Sequence, residues 1–258
     1  MRETGTRNNR KKFDNLVFGR QPVLELLSSE KTVDKILLQK SAVGDVIPFI
    51  KSKAAEKEIP LQYVPLEKLN TLTGGNHQGV IAFIAAIEFQ SIENIIPFII
   101  EKGETPLLLI LDGITDVRNF GAIARTAYAS GVHAIIISVN SAAPANEDSI
   151  KTSAGALTKI PICREKSLTQ TLEYLQLNGI QLIGTDGRSD KFIYDFDLSI
   201  PTAIIMGAED TGISYNVRKY ISSTAKLPIV NDFDSYNVSV AAGMVLFEVM
   251  KQRIRSGF

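Results

Sequence analysis

The sequence predicts an α/β protein in two parts, a C-terminal domain built on a mostly parallel sheet and a smaller N-terminal α/β domain. Two patterns and the chain length carry this reading. Short apolar runs alternate with stretches of helical apolar spacing, as when strands and helices take turns along a chain. Some of these runs, such as Val80 to Ala86, are nearly continuous, which suits a strand buried on both faces. A length of 258 residues, 45% apolar and 22% charged, leaves room for two cores and is ordinary for a globular chain.

Residues 1–14 read as a basic flexible tail, with Arg2, Arg7, Arg10, Lys11 and Lys12 opposed by Glu3 and Asp14. Such a tail can contact phosphates, or can simply be solvated. Residues 15–90 form the smaller α/β domain. Gln21 to Leu27 has helical spacing and Lys35 to Leu38 reads as a strand. Val46 to Glu58 is helical, with Ile47, Ile50, Ala54 and Ala55 to one side. Leu61 to Val64 and Val80 to Ala86 are strands flanking a Gly-rich loop from Thr73 to Gly79 that contains His77. Residues 91–104 are expected to be a linker, the apolar stretch from Ile92 to Ile100 being interrupted by Glu93, Asn94 and Pro97.

The main domain is expected over residues 105–258. Leu107 to Leu111 is a strand, Asn119 to Ser130 a helix closed by Gly131, and Ala134 to Val139 a strand. Ser167 to Leu177 is helical, Gln181 to Thr185 and Ala203 to Met206 are strands, and Val238 to Arg253 is the last helix. In such sheets ligands gather at the carboxyl ends of the strands.

Composition narrows the function. The charge is balanced, 28 Lys and Arg against 28 Asp and Glu, but unevenly: residues 1–90 hold 13 basic against 10 acidic groups. No apolar run reaches the roughly 20 residues of a membrane helix, and the polar, basic N-terminus lacks the apolar stretch of a secretory signal. A single cysteine, Cys163, cannot form an internal disulfide, which fits a cytoplasmic protein. With His77 and His133 as the only histidines, a structural zinc site is not expected, and no metal is called for. Neither a G-x-G-x-x-G turn after a strand nor a Walker A sequence is present. His133 reads as structural, Cys163 as buried, and His77 either as an RNA contact or as part of a turn.

Three blocks carry chemistry. The first runs Leu111-Asp112-Gly113-Ile114-Thr115-Asp116-Val117-Arg118-Asn119-Phe120-Gly121 and continues to Arg125 and Ala127. Asn119 is near a helix cap, where a capping role would suffice to explain it. Arg125 stands in an otherwise apolar, Ala-rich helix, where an unpaired buried charge would be expensive. The second block, Ile205-Met206-Gly207-Ala208-Glu209-Asp210-Thr211-Gly212-Ile213, is a strand ending in a glycine turn that lets backbone approach a ligand closely. The third is Leu227-Pro228-Ile229 followed by Ser235-Tyr236-Asn237-Val238-Ser239, where Ser235 or Asn237 would also serve as a cap.

In this order and spacing the three blocks resemble those of the SpoU (TrmH-like) family of RNA ribose 2′-O-methyltransferases, within the SPOUT superfamily. The resemblance spans about Thr105 to Phe258. Phe18-Gly19-Arg20-Gln21-Pro22-Val23 and His77-Gln78-Gly79-Val80 are similar to the family's L30e-like substrate-binding domain, and the two-domain arrangement is similar to the branch that methylates a guanosine of 23S ribosomal RNA. The resemblance implies a deep trefoil knot in the main domain, S-adenosylmethionine as cofactor, RNA as substrate and a homodimer with its active site at the subunit interface. It assigns cofactor binding to Gly207, Leu227 and Tyr236, with Thr185 and Ile229 close by. Arg125 would be the principal catalytic residue, reaching the partner subunit's cofactor site. Asn119, Glu209, Ser235 and Asn237 would orient the ribose, the arginine and the loops. Two departures stand out: Val117 occupies a position where proline is usual, which would loosen the turn before Asn119, and Asp210-Thr211 follow Glu209 in place of small or basic residues.

The implied reaction is in-line attack of a ribose 2′-hydroxyl on an activated methyl group. Arginine titrates far above neutrality, so Arg125 is better suited to stabilise the developing alkoxide than to act as a base, the family's proposed role and the alternative here. A tRNA ribose methyltransferase, a knotted base methyltransferase and a non-catalytic RNA-binding protein are the competing readings. The last would be expected to have lost Arg125, Asn119 or the Ser235/Asn237 pair, and all are present.

Overall fold

The computed structural model describes residues 15–256, so the basic tail expected over residues 1–14 lies outside the described residues. The chain divides into two units, residues 1–85 and 86–258.

The first unit contains β1 (Leu16–Phe18), α1 (Arg20–Ser28), β2 (Val33–Gln39), α2 (Val46–Glu56), β3 (Leu61–Val64), α3 (Leu66–Leu72) and β4 (Val80–Ile84). Its sheet has the order β1-β4-β2-β3, antiparallel except for the parallel β2–β3 pair. Alternate residues of β2 and β4 face opposite ways, as the two-residue period requires. Ile36, Leu38, Val80 and Ala82 join Val23, Leu27 and Ile50 of α1 and α2, while Leu37 and Ile81 meet Leu69 of α3. His77 is buried within the loop that follows α3. Its Nδ1 accepts the Gly79 N–H at 3.0 Å, so Nε2 carries the proton and donates to Asn70 Oδ1 at 2.9 Å. The histidine completes the loop.

The second unit opens with α4 (Ile92–Glu101), within the stretch expected to be a linker. Pro97 removes one helical hydrogen bond, a cost of roughly 3 kcal/mol. Ile92, Ile96 and Ile99, one turn apart, are all buried against the sheet, each contributing about 1.5–3 kcal/mol, and this packing outweighs the proline. The unit boundary accordingly falls after Ala85, ahead of residue 90, with Ile87 and Phe89 packed on the second core.

There follow β5 (Leu107–Asp112), α5 (Val117–Ala129), β6 (Ala134–Ser138), α6 (Glu147–Thr152), β7 (Ile162–Glu165), α7 (Leu168–Leu177), β8 (Gln181–Thr185), β9 (Thr202–Gly207), α8 (Tyr215–Arg218), β10 (Ser223–Ala225) and α9 (Val238–Arg255). The six strands are all parallel, in the order β10-β8-β9-β5-β6-β7. Every residue of β5 is buried: Leu107, Leu109 and Leu111 face a core shared with α5 and α9, and Leu108 and Ile110 face one shared with α4 and α7. Helices thus cover both faces, as a fully apolar parallel strand demands.

His133 is structural: its Nδ1 accepts the Leu107 N–H at 3.0 Å and its Nε2 lies 3.0 Å from Glu104. Cys163 is buried in β7, where burial, with the nearby carboxylates of Glu165 and Glu93, pushes its thiol up to about 12. At the end of the sheet where strands begin, Arg253 of α9 is buried and donates to the carbonyls of Leu198, Thr105, Pro106 and Ile200 at 2.7–3.1 Å. Burial lowers its guanidinium to about 10. Among the described residues no helix is long and apolar enough to cross a membrane.

Candidate functional site

The four strands β5, β9, β8 and β10 lie side by side and end level with one another, Asp112 beside Gly207 and Thr185 beside Ala225. The polar segments after these ends converge. Past β9 the chain doubles back sharply: Ala208 N–H donates to Gly212 O at 3.1 Å and Gly212 N–H to Ala208 O at 2.8 Å, looping out Glu209, Asp210 and Thr211. The turn brings Gly212 and Ile213 hard against Gly207, where a Cβ would lie 2.0 Å from the Gly212 carbonyl carbon. Glycine is required there because the backbone folds onto itself, and Gly212, at φ +67°, makes the turn.

Hydrogen bonds tie the three blocks together. Asp112, buried at the end of β5, accepts the Ser214 N–H at 2.7 Å and so anchors the far side of the second block's turn. Asp116, not Asn119, caps α5, its Oδ1 accepting the Asn119 N–H at 2.8 Å. That cap also holds the turn despite Val117, which is the first helical residue, where a proline is optional. Released from capping, the Asn119 side chain accepts a hydrogen bond from Asn237 Nδ2 at 3.1 Å, across 118 residues of sequence. Asn237 in turn caps α9, its Oδ1 accepting from Ser239 N at 3.0 Å and Ser239 Oγ at 2.6 Å. Tyr236 OH donates to the Pro228 carbonyl at 3.0 Å, closing the third block's loop, and Thr185 Oγ1 donates to Ile205 O at 3.2 Å.

Between these segments lies a cavity of about 520 Å³, within the usual range for a small-molecule site. All five residues expected to bind cofactor line it: Thr185, Gly207, Leu227, Ile229 and Tyr236. Glu209 and Ser235 line it as well. Asn119 and Asn237 meet each other through their side chains but do not line it. Arg125 does not line it either: it is exposed on α5, so the cost of an unpaired buried charge does not arise in this chain. Sequence reasoning missed Asp186, Arg188, Tyr215 and Arg218 on the cavity wall. The signal available for Asp186 was its place directly after a strand, shared by the three recognised blocks. Met206, Val238, Ala241 and Val245 supply the apolar wall. Such a cavity, apolar within and edged by backbone and polar groups, suits an adenosine-sized ligand.

The family model described as the SpoU rRNA Methylase family matches residues 106–247, and that described as RNA 2′-O ribose methyltransferase substrate binding matches residues 16–90. A 23S rRNA (guanosine-2′-O-)-methyltransferase RlmB of Pseudomonas aeruginosa is 37% identical over 92% of this chain and 96% of its own length. The protein of the same name from Vibrio parahaemolyticus is 42% identical over 70% of this chain and 73% of its own. Among solved structures, the SpoU methyltransferase AviRb of Streptomyces viridochromogenes in complex with AdoMet superposes with a TM-score of 0.60 at 24% identity, covering 97% of this chain and 95% of that one, a likeness of fold.

Proposed function

Since the chain belongs to the SpoU rRNA methylase family, we propose that it transfers a methyl group from S-adenosylmethionine to a ribose 2′-hydroxyl of RNA, at a guanosine of 23S ribosomal RNA. The single observation that carries this reading is the cavity at the strand ends, where Thr185, Gly207, Leu227, Ile229 and Tyr236 meet. Backbone groups of Gly207, Leu227 and Tyr236 would hold the cofactor, which supplies an already activated methyl on a sulfonium. The protein's work is then to position the ribose and to ease loss of its hydroxyl proton.

Glu209 and Ser235 orient groups at the cavity, and the Asn119–Asn237 pair locks α5 to the start of α9. Arg125 stabilises the developing alkoxide electrostatically. Its exposure on α5, away from the cavity of its own chain, supports a homodimer in which each Arg125 serves the other subunit's cavity. The deep trefoil knot belongs to the same proposal. Acting on ribosomal RNA, the enzyme works in the cytoplasm.

The test is incubation with labelled S-adenosylmethionine and unmodified rRNA or tRNA separately, followed by mapping of the methylated ribose. Label in a 23S guanosine is the expected result. Label in tRNA alone overturns the substrate, and no label in any RNA overturns the activity. Arg125→Ala is expected to abolish turnover while cofactor and RNA still bind. Mixing it with a variant disabled in the cofactor cavity should restore activity in mixed dimers, and no restoration would refute a shared site.

A further inference from the structure

Tyr215, the first residue of α8, lines the mouth of the cavity and leaves 74% of its surface exposed. An aromatic ring so open at a cavity leaves a face free for a stacking partner. The ring is not loose: Lys219, one turn further on, sets its ammonium 4.2 Å from the ring centroid. Two guanidiniums share the same mouth, Arg218 of α8 and Arg188 of the loop after β8, whose side chain is 94% exposed. Both lean on one carboxylate, Asp186, with N···O distances of 3.9 and 3.4 Å. Arg188, Arg218 and Lys219 thus lie beside Tyr215 and Asp186, while Lys226, Glu209 and Asp234 line the rest of the cavity. The three cations beside the ring can meet the phosphates of a polyanion. The apolar interior at Met206, Val238 and Val245 meanwhile offers the cofactor its own surface, apart from Tyr215. An exposed ring with cations beside it is the composition of a surface for single-stranded nucleic acid, in which bases stack on aromatics and phosphates meet Arg and Lys.

We propose that Tyr215 is the platform on which an unstacked RNA nucleobase lies at the mouth of the cofactor cavity, with Arg188 and Arg218 holding the adjoining phosphates. This rests on the RNA methylation proposed above and adds a positioning surface that none of the three sequence blocks contains. A base stacked on Tyr215 would bring its strand, and with it a ribose, to the cavity entrance.

The experiment compares the full-length wild type with Tyr215→Ala, Tyr215→Phe and Arg218→Ala. Steady-state methylation of unmodified rRNA is read alongside filter-binding Kd for the same RNA and calorimetric Kd for S-adenosylmethionine. Tyr215→Ala is expected to raise the RNA KM and Kd about tenfold, with kcat and cofactor Kd within about twofold, and Tyr215→Phe to restore the wild-type values. Arg218→Ala should lower the slope of log Kd against log salt by about one. Unchanged RNA affinity in Tyr215→Ala, or a defect wholly explained by weaker cofactor binding, overturns the platform. A wild type that methylates no RNA rejects the function itself, and the ratio of the two RNA Kd values then still decides whether Tyr215 contacts RNA.

Discussion

Two glycines in the turn after β9 separate a steric demand from a conformational one. In Gly207→Ala the new methyl would lie 2.0 Å from the Gly212 carbonyl carbon, 2.1 Å from Ile213 N and 2.4 Å from Gly212 O. Bonded backbone cannot give way as a flexible side chain does, so the turn must open by about 1 Å to reach even a tight contact. Opening breaks the two Ala208–Gly212 hydrogen bonds, worth about 0.5–1.5 kcal/mol each, and the overlap adds a strain of about 1–3 kcal/mol. The expected loss is therefore about 2–6 kcal/mol. At Gly212→Ala the methyl meets nothing within 4 Å, and only the left-handed backbone at φ +67° is penalised, by about 1–2 kcal/mol. Urea denaturation measures both. Calorimetry with S-adenosylmethionine should show binding lost in Gly207→Ala, whose displaced turn walls the cavity, and largely kept in Gly212→Ala. A Gly207→Ala protein as stable as Gly212→Ala, with wild-type cofactor affinity, would refute the reasoning.

Asn237→Ala removes both the cap of α9 and the link to Asn119, and should cost more than the roughly 1 kcal/mol of a cap alone; Asn119→Ala, which removes only the link, should cost less, and an Asn119→Ala protein as stable as wild type in urea melts would show that the link contributes nothing. Arg253→Met strips the donors from four carbonyls, three of them at the entrances of β5 and β9, and should lose about 3–5 kcal/mol, with Lys restoring only part because a single ammonium cannot span the four. Cys163, with its thiol near 12 in the fold and an ordinary value of 9.0, keeps its proton longer when folded, so its contribution to stability is full below pH 9 and declines between pH 9 and 12. Cys163→Ala should shallow that alkaline decline, and the native thiol should react with a disulfide reagent at pH 8 at least about a hundredfold more slowly than the unfolded one.

The α/β class, the parallel sheet and most strands were legible in the sequence because a strand buried on both faces must be apolar throughout, as Leu107–Asp112 nearly is. The end of the sheet that carries the cavity was legible for the same reason, since polar and glycine residues at the carboxyl ends of such strands, as at Thr185 and Gly207, mark where ligands gather in sheets of this kind. Short-range pattern could not tell α4 from a linker, because three isoleucines outweigh a proline only once there is a sheet for them to pack on. It gave the cap of α5 to Asn119, when Asp116 takes that place and frees Asn119 for a partner 118 residues away. Nor could it distinguish a buried Arg253, satisfied by four carbonyls, from an exposed Arg125, as both sit in apolar helices. Composition and period thus determined most of the strands, the longer helices and the end of the sheet where the cavity lies. Which polar groups meet, and which face solvent, depends on contacts between distant segments, and these exist only when the sheet has brought the segments together.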